Sequence, residues 1–136
     1  MTGLAPSIAV AGRILLASLF VLGALNKALT YDETLMRMVD AGLSPAAMLL
    51  PLTIALEVFG GLAIIYGRTP AAIAGLGLAA YVFIVNLVFH PFWTFDDPVR
   101  DIELSLFFKN ISIMGGLTFV AATSLSQNPG AANAQI

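Results

Sequence analysis

Apolar and polar positions along this chain come in blocks rather than alternating. Four long apolar stretches, at about residues 8–29, 46–66, 71–89 and 104–122, are separated by polar connections. Each is close to the ~20 residues that a helix needs to cross a hydrocarbon core about 30 Å thick. Backbone in such surroundings must satisfy its own hydrogen bonds, so the stretches are expected to be helical. Residues 30–45 read as a long first loop, ending in Gly42-Leu43-Ser44-Pro45. Gly67-Arg68-Thr69-Pro70 reads as a tight turn, with the proline near the start of the next helix, where its missing N–H costs little. Residues 93–103 form an acidic third loop, and residues 124–136 a polar, uncharged tail expected to be disordered. Small residues recur inside the stretches (Gly60-Gly61, Gly75, Gly77, Gly115-Gly116), and such residues let membrane helices approach closely. The pattern predicts an all-α membrane protein, one four-transmembrane-helix bundle with both termini on the same side, here side A.

Composition sharpens this reading. The 136 residues are 59% hydrophobic and 10% charged, with a mean hydropathy of +0.93. A soluble domain carries about 25% charged residues, so this chain cannot coat a water-facing surface and the lipid bilayer is its natural partner. A net charge of -2 and the lack of a basic patch exclude nucleic acid. The chain has no cysteine, which excludes disulfides, thiolate chemistry and iron–sulfur ligation. Its single histidine excludes bis-histidine haem and most transition-metal sites within one subunit, so no metal or haem is expected. The first apolar stretch is long and lacks a clear cleavage site, unlike a secretory signal. Arg13 and Arg68 fall on side A. Lys27, Arg37, Arg100 and seven acids fall on the opposite side B. That is close to a tie under the positive-inside rule, which gives acids little weight.

The candidate chemistry gathers on side B. Asn86 and His90 lie one helical turn apart, on one face of a stretch that Pro91 should end. His90 and Trp93 are the sole histidine and tryptophan, and no charged residue occurs between Arg68 and Asp96. Glu57 lies near the middle of the second stretch, where a bare charge costs at least ~2.5–3.5 kcal/mol. It reads as a proton carrier or a hydrogen-bond partner for a polar ligand, against the plainer reading of a carboxyl tied to a neighbouring helix. Lys109 and Asn110 enter from the fourth stretch at a depth comparable to Asn86, and Asn26 and Lys27 from the first. Lys27 and Lys109 read equally as snorkelling side chains, and His90 and Trp93 as an interfacial belt. Taken as a cluster, Glu57 and His90 are the expected catalytic groups. Asn86, Trp93, Lys109, Asn110 and Lys27 are the expected ligand-binding groups of one side-B pocket. The set holds donors, acceptors and a titratable ring, but no nucleophile, phosphate loop or metal ligands. A quinone is chemically compatible: its carbonyls accept hydrogen bonds and a carboxyl can exchange its protons.

Certain residues recur in a familiar order and spacing. Gly12-Arg13 opens the first stretch and Gly23-x-x-x-Lys27 closes it; Gly42-Leu43-Ser44-Pro45 precedes the second. Glu57-x-x-Gly60-Gly61 follows, with Gly67-Arg68 at its end, then His90-Pro91-Phe92-Trp93, and Lys109-Asn110 before Gly115-Gly116. In this respect the chain, over about residues 12–122, resembles the DoxX family of small bacterial membrane proteins. That family is named for a subunit associated with a terminal quinol oxidase, and the related DoxD and DoxA proteins act in thiosulfate:quinone oxidoreduction. The resemblance implies a four-helix bundle in the bacterial inner membrane with cytoplasmic termini, associated with quinone-linked electron transfer.

Three functions compete at this stage. One is a quinone-binding subunit of a redox system, an oxidoreductase only together with partners. Another is a non-catalytic subunit that anchors a larger membrane complex or a homo-oligomer. The third, suggested by Glu57 alone, is a pathway for protons or a small solute. The chain has no electron-carrying centre of its own, so in any redox role the electron must come from a protein partner or from a bound organic cofactor.

Overall fold

The computed structural model describes residues 3–126 of the chain. Four long helices form a bundle: α1 (Leu4–Leu29), α3 (Ala46–Tyr66), α4 (Arg68–Phe89) and α5 (Val99–Ser126), each long and apolar enough to cross a membrane. A short helix, α2 (Tyr31–Asp40), follows α1, and a single 3-10 turn, Phe92–Thr94, leads from α4 towards α5.

The segment at 31–40, expected as loop, is therefore helical. Its acids Asp32 and Glu33 lie in the first turn and Arg37 in the last, which suits the helix dipole. Met38 buries against Ala46 and Leu50 of α3, with Leu35 and Leu43 packed around them. The last helix also exceeds its expected bounds. It starts at Val99, so the acids Asp101 and Glu103 are helical, and it carries residues 124–126 of the expected tail. Residues 127–136 of that tail lie outside the described residues. At 28 residues α5 is about 42 Å long, more than a hydrocarbon core needs.

Helices α1, α3, α4 and α5 pack in chain order, and α1 touches α5 only slightly. Arg13 of α1 lies against Gly67, beside the α3–α4 turn, and Gly75 of α4 lies against Leu117 and Ala121 of α5. Leu4 and Ser126, the ends of α1 and α5, thus share side A. A chain solvated by lipid gains little from burying apolar surface, so close backbone approach does more of the work. An added Cβ at Gly75 would come within 2.7 Å of the Leu117 carbonyl oxygen, and one at Gly61 within 2.9 Å of Val21. Between these contacts, Ala17, Phe20, Ile64, Leu78, Val82 and Leu117 fill the core. On the outer face of α5, the hydroxyls of Ser105, Ser112 and Thr118 bond back to carbonyls of their own helix. That leaves them needing no water, as a lipid-facing surface requires.

Helix α1 is offset towards side A. Gly23 faces Glu57, and from there α1 continues only six residues to Leu29, about 9 Å. From the same level α3 runs eleven residues up to Ala46, about 16 Å. Helix α2 covers the difference, and a polar chamber lies below it.

Candidate functional site

Glu57 anchors the site. It is 4% exposed, and both carboxylate oxygens accept from Lys27 Nζ, at 2.8 and 2.9 Å. Tyr81 Oη donates to Oε1 at 2.9 Å. Three helices thus meet at one carboxylate in the middle of the bundle. Gly23 lies beside the carboxylate: a Cβ there would sit 3.5 Å from Glu57 Oε2, in ordinary contact, and a side chain longer than alanine's would reach into the space the carboxylate uses. Lys27 does not snorkel to the surface; its ammonium turns inward, with 26% of the side chain still exposed. Among the expected cations it is therefore Lys27, and not Lys109, that meets Glu57.

Above this trio lies a cavity of about 400 Å³. Its polar wall comprises Asn26, Lys27, Arg37, Glu57, Tyr81, His90 and Asn110, and its apolar wall includes Phe20, Val82, Val85 and Ile113. All five helices contribute. A narrower cavity of about 180 Å³ adjoins it between α2, α3 and α4, with Lys27, Thr34, Met38, Tyr81, Val85 and Phe89 lining both.

At the side-B mouth His90 ends α4, and its Nδ1 lies 2.8 Å from Glu103 Oε2 on α5. Both side chains are about one-fifth exposed, at 22% and 19%. With the proton held on Nδ1 towards the carboxylate, Nε2 is the remaining polar atom of the ring. Phe92, Trp93 and Phe107 pack edge to face beside this pair, with centroids 5.2–5.9 Å apart. Trp93 is 56% exposed and lines neither cavity, so it flanks the mouth as part of that aromatic group.

Besides Trp93 at the mouth, the expected convergence on one pocket therefore divides in three. Lys27, Glu57, His90 and Asn110 share the chamber wall. Asn86 is fully buried but lies behind that wall: its amide donates to the Phe107 carbonyl at 3.2 Å and accepts from Asn110 Nδ2 at 3.0 Å. It clasps α4 to α5. Lys109 is exposed and lines neither cavity, and among the described residues it has no ion-pair partner. Since Asn110 faces α4, its neighbour Lys109 is turned about 100° round the helix, towards lipid.

Sequence reasoning missed Tyr81 and Glu103. Tyr81 carries a hydroxyl in the middle of an apolar helix, which in lipid calls for a partner. Glu103 shares a face with Asn110, seven residues on, a spacing that reads as packing until His90 is placed opposite.

Fold and site together define a class: a small membrane protein of four long helices with a Lys27–Glu57 ion pair, hydrogen-bonded by Tyr81, at mid-bundle beneath a chamber with a polar wall. Residues 8–91 match the family model DoxX, and the chain belongs to the DoxX family. It is also similar to the inner membrane protein YqjF of Escherichia coli strain K12, at 34% identity over 119 residues, or 88% of this chain and 82% of that one. No solved structure matches it.

Proposed function

We propose that this protein is an inner-membrane subunit of a quinone-linked redox system and that the chamber above Glu57 holds a quinone head group. The observation that carries this reading is the Lys27–Glu57–Tyr81 trio facing a cavity of about 400 Å³. Ionisable groups kept inside a membrane are costly and tend to mark ligand or proton sites. This trio offers what a quinone ring uses: an ammonium with one N–H beyond the two given to Glu57, free to donate to a carbonyl oxygen, and a carboxylate, held by the Tyr81 phenol, that takes a proton from a hydroxyl. His90 and Asn110 add polar groups elsewhere on the wall.

A bound quinone would take up two electrons and two protons on reduction to the quinol. The electrons would come from a partner subunit, because the chain has no cysteine and one histidine. Glu57 would hold or release one proton, and its pairing with Lys27 keeps its charge compensated in the ionised state. The pair His90–Glu103 stands between the chamber and side B, so protons would exchange with that side. The inner-membrane location follows the E. coli relative, and the proposed orientation has both termini in the cytoplasm.

The test is titration of the purified protein with a short-chain quinone, read by quenching of the single tryptophan, Trp93. Saturable quenching is expected, with affinity lowered about tenfold or more in Lys27→Ala and His90→Ala, the loss of one good hydrogen bond. Lys109→Ala should bind as wild type does. Absence of saturable quenching in the wild type would discard the reading and leave a purely anchoring subunit.

A further inference from the structure

We infer that the narrow cavity between α2, α3 and α4 is the exit for a hydrocarbon tail, so that the ligand is an amphiphile whose head fills the chamber and whose chain leaves beside Val88. This rests on the reading of the chamber as a head-group site and adds the class of ligand it accepts.

The two cavities share lining residues, among them Lys27, Tyr81, Val85 and Phe89, so a ligand in the chamber lies directly beside the narrow cavity. They differ in chemistry. The chamber carries charged and amide groups beside its apolar residues, whereas the wall of the narrow cavity is almost wholly apolar, with Met38, Leu49, Val85 and Val88. Its few polar side chains spend their hydrogen bonds elsewhere. Thr53 Oγ1 donates to the Leu50 carbonyl at 2.8 Å, and the hydroxyl of Thr34 is bonded to that of Thr30 at 3.2 Å. Lys27 and Tyr81 both turn to Glu57. A polar guest in the narrow cavity would find few partners there, and most of its polar atoms would go unsatisfied. A hydrocarbon chain loses nothing, since lipid tails are as apolar as these side chains. Half-exposed Ile84 stands at the outer edge of the cavity, so the passage leads to the lipid-facing side of α4.

The other way out of the chamber is the α1–α5 seam, where those helices touch only slightly and Leu19 and Ile113 line the wall. The two routes make opposite predictions. Equilibrium dialysis at fixed detergent concentration would compare a decyl-substituted benzoquinone with the same ring lacking the chain. Wild type should bind both. Val88→Phe, which thickens the wall of the narrow cavity, should weaken the chain-bearing ligand about tenfold or more and leave the bare ring within about threefold. Equal loss of both ligands, or of neither, would overturn the tail route while leaving the head site standing. If wild type binds neither ligand, the head site itself falls. Because Val88→Phe can disturb folding, a second measurement uses the unmodified protein. A benzoquinone with a photoreactive diazirine near the start of its chain should label Leu49, Ile84 or Val88. Labelling at Leu19 or Ile113 instead would place the chain in the α1–α5 seam and refute the inference.

Discussion

Removing Lys27 while keeping Glu57 probes what holds the chamber together. Lys27→Met leaves a carboxylate that is 4% exposed with Tyr81 as its remaining partner. Deleting one member of a buried ion pair costs about 3–5 kcal/mol, because the other charge stays buried alone. Lys27 keeps 26% of its side chain exposed, and the adjoining chamber can admit water, so the lower end, about 3 kcal/mol, applies. A neutral interhelical hydrogen bond inside a membrane averages only about 0.6 kcal/mol. The two figures are far enough apart to be told apart by a double-mutant cycle with Glu57→Gln. Glutamine keeps the carbonyl that accepts from Tyr81 and removes the charge, while the freed ammonium of Lys27 can turn into the chamber. Glu57→Gln alone should therefore cost less than Lys27→Met. The double variant should be no worse than Lys27→Met, so the coupling is at least the whole cost of Glu57→Gln, about 2 kcal/mol for a lost charge-assisted hydrogen bond. Reversible unfolding in mixed micelles titrated with sodium dodecyl sulfate, followed through Trp93, measures each corner of the cycle. Additive losses, with coupling at or below about 0.6 kcal/mol, would mean that Glu57 carries no charge opposite Lys27, and the ion-pair reasoning would fail.

Further expectations can be checked with the same preparation. Gly75→Leu should destabilise the protein by about 1–3 kcal/mol or more, because its side chain drives into the Leu117 carbonyl. Gly77→Leu, where a Cβ meets nothing within 4 Å, should leave the unfolding midpoint unchanged. Asn86→Leu should cost about 1–3 kcal/mol for the lost α4–α5 clasp yet leave quinone affinity within about threefold, as Asn86 lines neither cavity. Reporter fusions at Gly3 and directly after Ser126 should report the same compartment; opposite compartments would break the four-span topology.

The spans were legible because each is an apolar block of crossing length, and lipid leaves a backbone little choice but a helix. Glu57 stood out for the same reason: a charge in such a block must be compensated. Its partner was harder to read. Lys27 lies near the end of an apolar stretch, where a lysine ordinarily reaches the interface. What turns it inward is the offset of α1 towards side A, a tertiary feature set by Arg13 against Gly67 and by Gly61 against Ala17 and Val21. Helix α2 was missed because ten residues with three acids look like a loop until the Leu35–Met38 face finds α3. Lys109 and Asn110 show the limit from the other direction. Depth in a membrane can be counted along a helix, but direction cannot, and one residue separates a group on the chamber wall from one facing lipid.

The same offset links fold to function. Had α1 crossed the membrane in register with α3, its upper turns would pack on α3 from Glu57 to Ala46, and the chamber would be filled with side chains. Instead α1 stops about 9 Å above Gly23, at Leu29, and Thr30 breaks the helix before α2 begins. The space left is bounded by a charged trio below, by α2 above and by α4 and α5 behind. Helix α2 holds that space through a small apolar patch, Met38 with Ala46 and Leu50, while Arg37 and Thr34 face the chamber. A short helix held so lightly costs less to displace than any of the four spans. It forms part of the wall of both cavities, so movement of α2 would widen both together. On the proposed reading, an amphiphile would then enter sideways from the bilayer without its polar head crossing the close-packed core around Leu78 and Leu117.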